Sequence, residues 1–130
     1  MVIDSSALMA FLQREPGYQE VRKALEVGGL VLSTVNRTEV KGKLEGSGAF
    51  TPREVDARLD LLRDVLEIAG FDEQQSDLAA YYYARRNPYN LSLGDCACLG
   101  LAEARNLPVL TAEQAWAGLQ GLPFKVMLIR

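Results

Sequence analysis

The segment LGDCACLGLAEAR (residues 93–105), followed by NLPVL (residues 106–110), is the stretch that decides the predicted fold. Small and apolar residues occur on almost every side of the first segment, which predicts a buried helix over Leu93–Arg105. The apolar run Pro108–Leu110 predicts a short buried strand. The sequence therefore predicts a helix–strand unit in the interior of the protein.

Short apolar runs and amphipathic segments alternate in the same way along the rest of the chain. The other predicted strands are Met1–Ile3, Leu30–Ser33 and Lys125–Ile129, with a short strand or turn at Glu67–Ala69. The other predicted helices are Ser6–Gln13, Tyr18–Val27, one beginning near Asn36, one beginning after Thr51, Glu73–Arg86 and Ala112–Ala117. This alternation predicts an α/β sandwich around a mainly parallel sheet. No repeat or long linker divides the 130 residues, so we expect one domain.

Two sequence patterns indicate where helices begin. Asn36 and Glu39 are three residues apart and have the form of a capping box, which predicts a helix start near Asn36. Thr51 and Glu54 form a stronger pattern, because Pro52 occupies the first helical position between them. The helix that Thr51 opens is expected to carry a continuous apolar stripe formed by Val55, Leu59, Leu62 and Leu66.

Histidine is absent from the sequence. Its absence excludes Ser-His-Asp triads, Cys-His nucleophiles and HExxH zinc sites. Cys96 and Cys98 form neither a redox pair nor a zinc knuckle, and we expect them to be buried in a reduced cytosol. The first residues lack the basic region of a signal peptide, and no apolar run is long enough to span a membrane. The sequence therefore predicts a cytoplasmic protein.

Four acidic residues stand at the starts of predicted helices. Asp4 follows the first strand, Glu39 lies in the first turn after the strand Leu30–Ser33, and Glu113 follows the strand that ends at Leu110. Asp95 opens the buried helix. Right-handed crossovers place the carboxyl ends of parallel strands at one edge of the sheet, where open α/β sheets bind their ligands. We therefore expect the four carboxylates to converge there.

Each acid also has an ordinary structural explanation, because carboxylates in a first helical turn complement the helix dipole. Together they are costly, since two carboxylates about 5 Å apart repel by roughly 3 kcal/mol at an effective dielectric near 20. A divalent cation among them would remove that repulsion. An all-oxygen site suits Mg²⁺ or Mn²⁺, which can activate water at a phosphodiester. Asp95 favours this interpretation most, because a lone carboxylate on so apolar a helix is expensive unless it faces a charge.

Three segments resemble the PIN-domain ribonucleases, specifically the VapC-type toxins of type II toxin–antitoxin pairs. They are VIDSSALMAFL (residues 2–12), NRTEV (residues 36–40) and LSLGDCACLGLAEARNLPVLTAEQAW (residues 91–116), and the similarity in order and spacing covers essentially the full chain. The resemblance implies a PIN-like three-layer α/β/α sandwich with a mainly parallel central sheet, as a single PIN domain over residues 1–130. It also implies an Mg²⁺-dependent or Mn²⁺-dependent endoribonuclease that forms a homodimer, cleaves RNA and is inhibited by a cognate VapB-type antitoxin.

The resemblance also implies roles for particular residues. The acids of the family fall on Asp4, Glu39, Asp95 and Glu113, as catalytic residues and metal ligands. The fourth position is more often Asp in the family, and the extra methylene of Glu113 favours a contact through water.

Two hydroxyl residues are supporting candidates. Ser6 falls on the hydroxyl that the family carries two residues after its first acid, and it is expected either to bond a metal ligand or substrate or simply to start the helix. Thr111 precedes Glu113 by two residues and also forms a capping pattern with Gln114.

An RNA substrate requires local positive charge, because 14 basic against 17 acidic residues give a net charge of −3. Candidates for a basic rim are Arg14, Arg37, Lys41, Lys43, Arg85 and Arg86. Lys43 is equally suited to pair with Glu39 four residues earlier. Tyr81, Tyr82 and Tyr83 could stack on bases, although adjacent helical residues diverge and one or two are expected in the core or at a dimer contact.

Three other classes of protein are alternatives to a nuclease. A catalytically inactive PIN-like RNA- or protein-binding module is the alternative, and it would show neither metal-dependent nuclease activity nor growth arrest. A phosphoacceptor receiver domain needs an acidic pair at the first strand and a lysine directly after a late strand, whereas here Ser5 follows Asp4 and the segment PVLTAE (residues 108–113) contains no lysine. A haloacid-dehalogenase-type phosphatase needs Asp-x-Asp, and Ser6 stands at the second position.

Overall fold

A five-stranded, fully parallel sheet forms the centre of the protein in the computed structural model, which describes residues 1–130. The strands are β1 Val2–Ile3, β2 Leu30–Ser33, β3 Leu66–Ala69, β4 Val109–Thr111 and β5 Val126–Leu128. Their order across the sheet is β3-β2-β1-β4-β5, so β1 is central and the chain winds outward in both directions. The carboxyl ends of all five strands lie at one edge of the sheet, called the carboxyl edge below.

Six α-helices cover the two faces of the sheet. They are α1 Ser5–Gln13, α2 Tyr18–Val27, α3 Thr34–Gly46, α4 Pro52–Asp60, α5 Glu73–Ala84 and α6 Leu93–Arg105, and a 3₁₀ turn follows at Gln114–Gly118. Successive strand residues point to opposite faces. Ile3 and Leu110 therefore pack with α1–α4 in one apolar cluster, whereas Val2 and Val109 pack with α5 and α6 in a second. This is the predicted three-layer α/β/α sandwich.

Several element boundaries agree with the sequence patterns. The predicted bounds of α2, β2 and α6 match the structure, and Thr51 and Glu54 form the expected capping box. The helix that Thr51 opens is shorter than its apolar stripe suggests, because it ends at Asp60 and Leu66 begins β3. Leu62 and Leu66 still pack in the same apolar cluster as Val55. The regular spacing of these apolar residues therefore indicated a shared core and not one continuous helix.

The predicted start of α3 is wrong. The helix begins at Thr34, because Ser33 at the end of β2 caps it by accepting a hydrogen bond from the Val35 N–H at 3.2 Å. Asn36 therefore lies inside α3 and its side chain is free for a different contact.

None of the helices combines the length and the apolar character that crossing a membrane requires.

Candidate active site

Asp4 lies at the carboxyl end of β1 and is 2% exposed. It caps α1, since its Oδ1 accepts a hydrogen bond from the Ala7 N–H at 2.9 Å. The Ser6 hydroxyl donates to both carboxylate oxygens at 2.8 and 2.9 Å, and the Thr111 hydroxyl donates to Oδ2 at 2.7 Å. Burial raises the pKa of Asp4 to about 6, and the negative charge of Asp95 adds to this shift. The carboxylate is thus strongly hydrogen-bonded and has no cationic partner.

The Ser6 and Thr111 hydroxyls join the start of α1 to the end of β4. While they donate to Asp4, Ser6 Oγ accepts from the Ala112 N–H and Thr111 Oγ1 accepts from the Glu113 N–H, both at 3.0 Å. Each hydroxyl therefore has a donor and an acceptor partner, and the orientation of the Asp4 carboxylate is set by two separate elements of the fold.

Asp95 lies in the first turn of α6 and is half-buried. It forms a capping box with Ser92: the Ser92 N–H donates to Asp95 Oδ2 at 2.8 Å, and the Asp95 N–H donates to Ser92 Oγ at 3.0 Å. Burial raises the pKa of Asp95, and the charge of Glu39 contributes in the same direction. Capping therefore occupies one carboxylate oxygen, while Oδ1 makes no hydrogen bond within the protein.

Glu39 reaches from α3 across to the first turn of α6. Its carboxylate lies so close to Gly94 that a methyl group at that position would overlap it. The Asn36 side chain donates from Nδ2 to Glu39 Oε1 at 2.8 Å and to the Gly94 carbonyl oxygen at 3.0 Å. The sequence pattern that resembled a capping box is therefore a side-chain contact that joins two helices.

Glu113 stands apart from the other three acids. It follows β4 and precedes the 3₁₀ turn, and its side chain is exposed without a hydrogen bond or an ion pair. Its main-chain N–H contacts Thr111, which in turn contacts Asp4. The fold thus brings the backbone of Glu113 to the edge of the site while its carboxylate extends toward solvent.

Asp4, Glu39 and Asp95 form a group that we call the acidic cluster. Asp95 raises the pKa of Asp4, Glu39 raises that of Asp95, and all three raise the pKa of the fully buried Cys98 thiol, so their charges act on one another. No lysine or arginine forms a salt bridge with any of them. The cluster is therefore a patch of negative charge that the protein itself does not neutralise by an ion pair.

The donor chemistry of the acidic cluster fits a hydrated divalent cation. No three His, Cys, Asp or Glu side chains lie close enough to ligate one ion together in this arrangement. Mg²⁺ does not need such a cage, because one or two carboxylates commonly hold it while several waters stay bound. Asp4 and the free oxygen of Asp95 are suitable ligands, with Glu39 beside them.

The basic residues predicted to surround the site have different partners in the structure. Lys41 pairs with Asp56 at 2.6 Å, whereas Lys43 is exposed, makes no salt bridge with Glu39 and lowers the pKa of Asp95. Arg85 and Arg86 lie over the rings of Tyr81 and Tyr83 at the end of α5, without acidic partners. These two arginines at the end of α5 therefore form cation–π contacts and no salt bridge.

Tyr82, in contrast to its neighbours, belongs to the core. It is 7% exposed, and its hydroxyl donates to Glu103 at 3.0 Å between α5 and α6. Both cysteines are free and buried, as predicted.

Sequence reasoning missed three residues that position the acids: Asn36, Ser92 and Gly94. Ser92 and Asp95 are three residues apart, so a capping pattern was visible in the sequence. The spacing of Asn36 and Glu39 was visible as well, but no pattern along the chain signals that either residue contacts Gly94, because Gly94 lies on a different helix.

Comparison with known proteins agrees with this fold. The family model of the PIN domain matches residues 1–121. A ribonuclease VapC30 from Mycobacterium tuberculosis is 34% identical over 116 residues, which cover 85% of this chain and 87% of that protein. A ribonuclease VapC from Mycolicibacterium smegmatis is 32% identical over 122 residues, covering 89% and 93%.

A solved structure is similar over almost the full length. The crystal structure of DNA-bound VapBC from Salmonella typhimurium superposes with a TM-score of 0.74 at 16% identity, and the match covers 99% of this chain and 97% of that one. This likeness shows a shared fold. The sequence matches go further, and by them the chain belongs to the PIN domain family, in its VapC group.

Proposed function

We propose that this protein is a metal-dependent endoribonuclease and the toxin of a type II toxin–antitoxin pair. The observation that carries the proposal is the acidic cluster. In it, a buried carboxylate with a pKa near 6 and two neighbouring carboxylates share one edge of a PIN fold without a cationic partner. The names of the ribonuclease VapC relatives support RNA as the substrate.

Asp4 and Asp95 are the residues that would hold Mg²⁺, or Mn²⁺ as a substitute, with the Glu39 carboxylate beside them. The bound ion would lower the pKa of water and neutralise charge on the scissile phosphodiester, leaving a 5′-phosphate and a 3′-hydroxyl. Ser6 and Thr111 keep the Asp4 carboxylate in one orientation, because their hydroxyls donate to it from α1 and β4. Glu39 completes the ligand set or orients the attacking water, and the exposed Glu113 acts through water.

The substrate and partner follow from the same resemblance. Arg85 and Arg86 lack acidic partners and are suited to contact RNA phosphates near the end of α5. A VapB-type antitoxin is the proposed inhibitor, and the structural neighbours in complex with antitoxins share this fold. We further propose a homodimer that acts in the cytoplasm.

The test is RNA cleavage by the purified protein, freed of any bound partner, in Mg²⁺, in Mn²⁺ and in EDTA, with the new 5′ ends mapped. Cleavage is expected only with a divalent cation. Asp4→Asn should lower the rate at least about 100-fold, because it weakens charge stabilisation at the phosphate. Asp77→Asn, an exposed acid on α5, is the control and should retain full activity.

Two results would contradict the proposal. One is unchanged cleavage by Asp4→Asn in metal-replete buffer. The other is the absence of both metal-dependent cleavage and growth arrest on expression, which would identify a catalytically inactive binding module instead.

A further inference from the structure

Asn36 is one of the most deeply buried polar residues of the protein, at 1% exposure. Its Nδ2 atom donates two hydrogen bonds, to Glu39 Oε1 at 2.8 Å within α3 and to the Gly94 carbonyl oxygen at 3.0 Å on α6, 58 residues away in sequence. Because both partners are oxygens that only accept hydrogen bonds, the NH₂ end of the amide must face them. The orientation of this side chain is therefore determined.

The two acceptors would otherwise repel each other. Glu39 Oε1 and the Gly94 carbonyl oxygen both lie within hydrogen-bond distance of the same Nδ2 atom, so the two oxygens are held close together. The Asn36 amide places one hydrogen on each oxygen and thereby offsets this repulsion. Gly94 is next to Asp95 in the first turn of α6. The position of Glu39 relative to Asp95 therefore depends on Asn36.

The other end of the amide is a cost to stability. Asn36 Oδ1 is buried and has no hydrogen-bond partner. An unsatisfied buried acceptor is a cost that folding does not require, and such a group needs a reason to remain. The reason that the geometry offers is the NH₂ group that holds the Glu39 carboxylate.

We infer that Asn36 is a positioning residue that fixes the Glu39 carboxylate beside Asp95 and thereby sets the affinity of the acidic cluster for a divalent cation. The inference rests on the proposed function, since it concerns the same site. Asn36 itself contacts neither cation nor substrate in this account. It acts through Glu39.

The chain offers a matched control in Gln75 of α5. This residue is also a buried amide, its Nε2 donates to the Gly70 carbonyl oxygen at 3.0 Å, and its Oε1 likewise has no partner. Unlike Asn36, it has no carboxylate partner. Gln75→Ala therefore removes a comparable buried amide and leaves the acidic cluster in place.

The experiment measures Mn²⁺ binding by titration calorimetry on the intact protein, alongside thermal unfolding in EDTA. Asn36→Ala is expected to weaken Mn²⁺ binding by about 10-fold to 100-fold, the range typical of groups that orient metal ligands. The Mn²⁺ concentration for half-maximal RNA cleavage should rise by the same factor. Gln75→Ala should lower the unfolding temperature but keep the Mn²⁺ affinity within about twofold. Asn36→Leu, which leaves a smaller cavity, is the second variant and should lose affinity as Asn36→Ala does.

A double-mutant cycle tests whether Asn36 acts through Glu39. In a Glu39→Gln background, Asn36→Ala should cause little further loss of Mn²⁺ affinity, because the carboxylate that it positions is already gone. Additive losses would overturn the inference. So would folded Asn36 variants that bind Mn²⁺ as tightly as the unsubstituted protein. If the unsubstituted protein neither binds Mn²⁺ nor cleaves RNA, the proposed function fails and this inference fails with it.

Discussion

Asp4 shows at the scale of a single residue how the site is built. A buried carboxylate is costly, and burial is the largest cause of its raised pKa. Two hydroxyls and one main-chain N–H donate to it and offset part of that cost. The remaining cost makes ionisation of Asp4 less favourable in the folded protein than in the unfolded chain. A bound cation would reverse this balance.

The pKa of Asp4 predicts how stability depends on pH without metal. Below about pH 4 both folded and unfolded chains carry the proton, whereas between about pH 4 and pH 6 only the folded chain retains it. Proton uptake by Asp4 therefore stabilises the folded protein at low pH, and this contribution is lost as the pH rises through about 6. The free energy of unfolding should fall by up to about 3 kcal/mol over this range.

Asp4→Asn cannot titrate, so its stability relative to the unsubstituted protein should increase between pH 4 and pH 7. Thermal unfolding in EDTA across this range is the measurement. A constant difference between the two proteins would contradict the prediction.

At the scale of elements, the junction of α3 and α6 determines where two of the acids lie. The Ser92 capping box starts α6 and directs Asp95, while Gly94 allows Glu39 to approach from α3. The Glu39 carboxylate can lie against this turn only because position 94 has no side chain. A glycine in a first helical turn, which costs helix stability, is thus required by a contact with a neighbouring helix.

Gly94→Ala should displace the Glu39 carboxylate from the first turn of α6. The added methyl group overlaps the Glu39 carboxylate, which is the end of a flexible side chain, so we expect that side chain to turn aside at a cost of only about 1 kcal/mol in the free energy of unfolding. Metal-dependent cleavage should fall by about 10-fold or more, because Glu39 is displaced. Gly42→Ala in α3 is the control: its methyl group meets no atom within 4 Å and should stabilise the protein by about 0.5–1 kcal/mol without affecting cleavage. Equal effects of the two substitutions would show that the approach at Gly94 is unimportant.

At the scale of the whole molecule, the acidic cluster lies where the layers of the sandwich meet. Asp4 follows the central strand β1, Glu39 comes from the layer of α1–α4, and Asp95 comes from the layer of α5 and α6. The three carboxylates are therefore together only when both layers are packed on the sheet. A cation that binds them binds the folded state and not the unfolded chain.

Divalent cations should accordingly raise the unfolding temperature. A site in the folded state alone gains about 2.7 kcal/mol when the ligand is at 100 times its dissociation constant. For a chain of this size that gain corresponds to roughly 10 °C. Thermal unfolding against Mn²⁺ concentration measures the effect, which Asp95→Asn should largely remove and Asp77→Asn should preserve. No shift in the unsubstituted protein would count against a metal site in the acidic cluster.

Local patterns in the sequence determined most of the elements. The buried helix α6, the strand β2, the capping box at Thr51 and the alternation that implies a parallel sheet were all predicted, because periodicity and capping depend on neighbours within a few residues. The same patterns placed Asp4 and Asp95 correctly at helix starts, but the placement of Glu39 in a first turn was wrong, because α3 begins at Thr34 and Glu39 lies in its second turn. Their roles as metal ligands stay predictions until they are measured.

Only the tertiary structure decided which side chains meet. Asn36 contacts Gly94 across 58 residues and Thr111 contacts Asp4 across 107, separations at which spacing along the chain carries no information about contact. The exposed position of Glu113 and the early end of α4 were decided in the same way, by how β4 and β3 join the sheet. The sequence therefore determined which acids the protein has and where most of its elements begin, whereas packing between layers determined which of those acids act on one another.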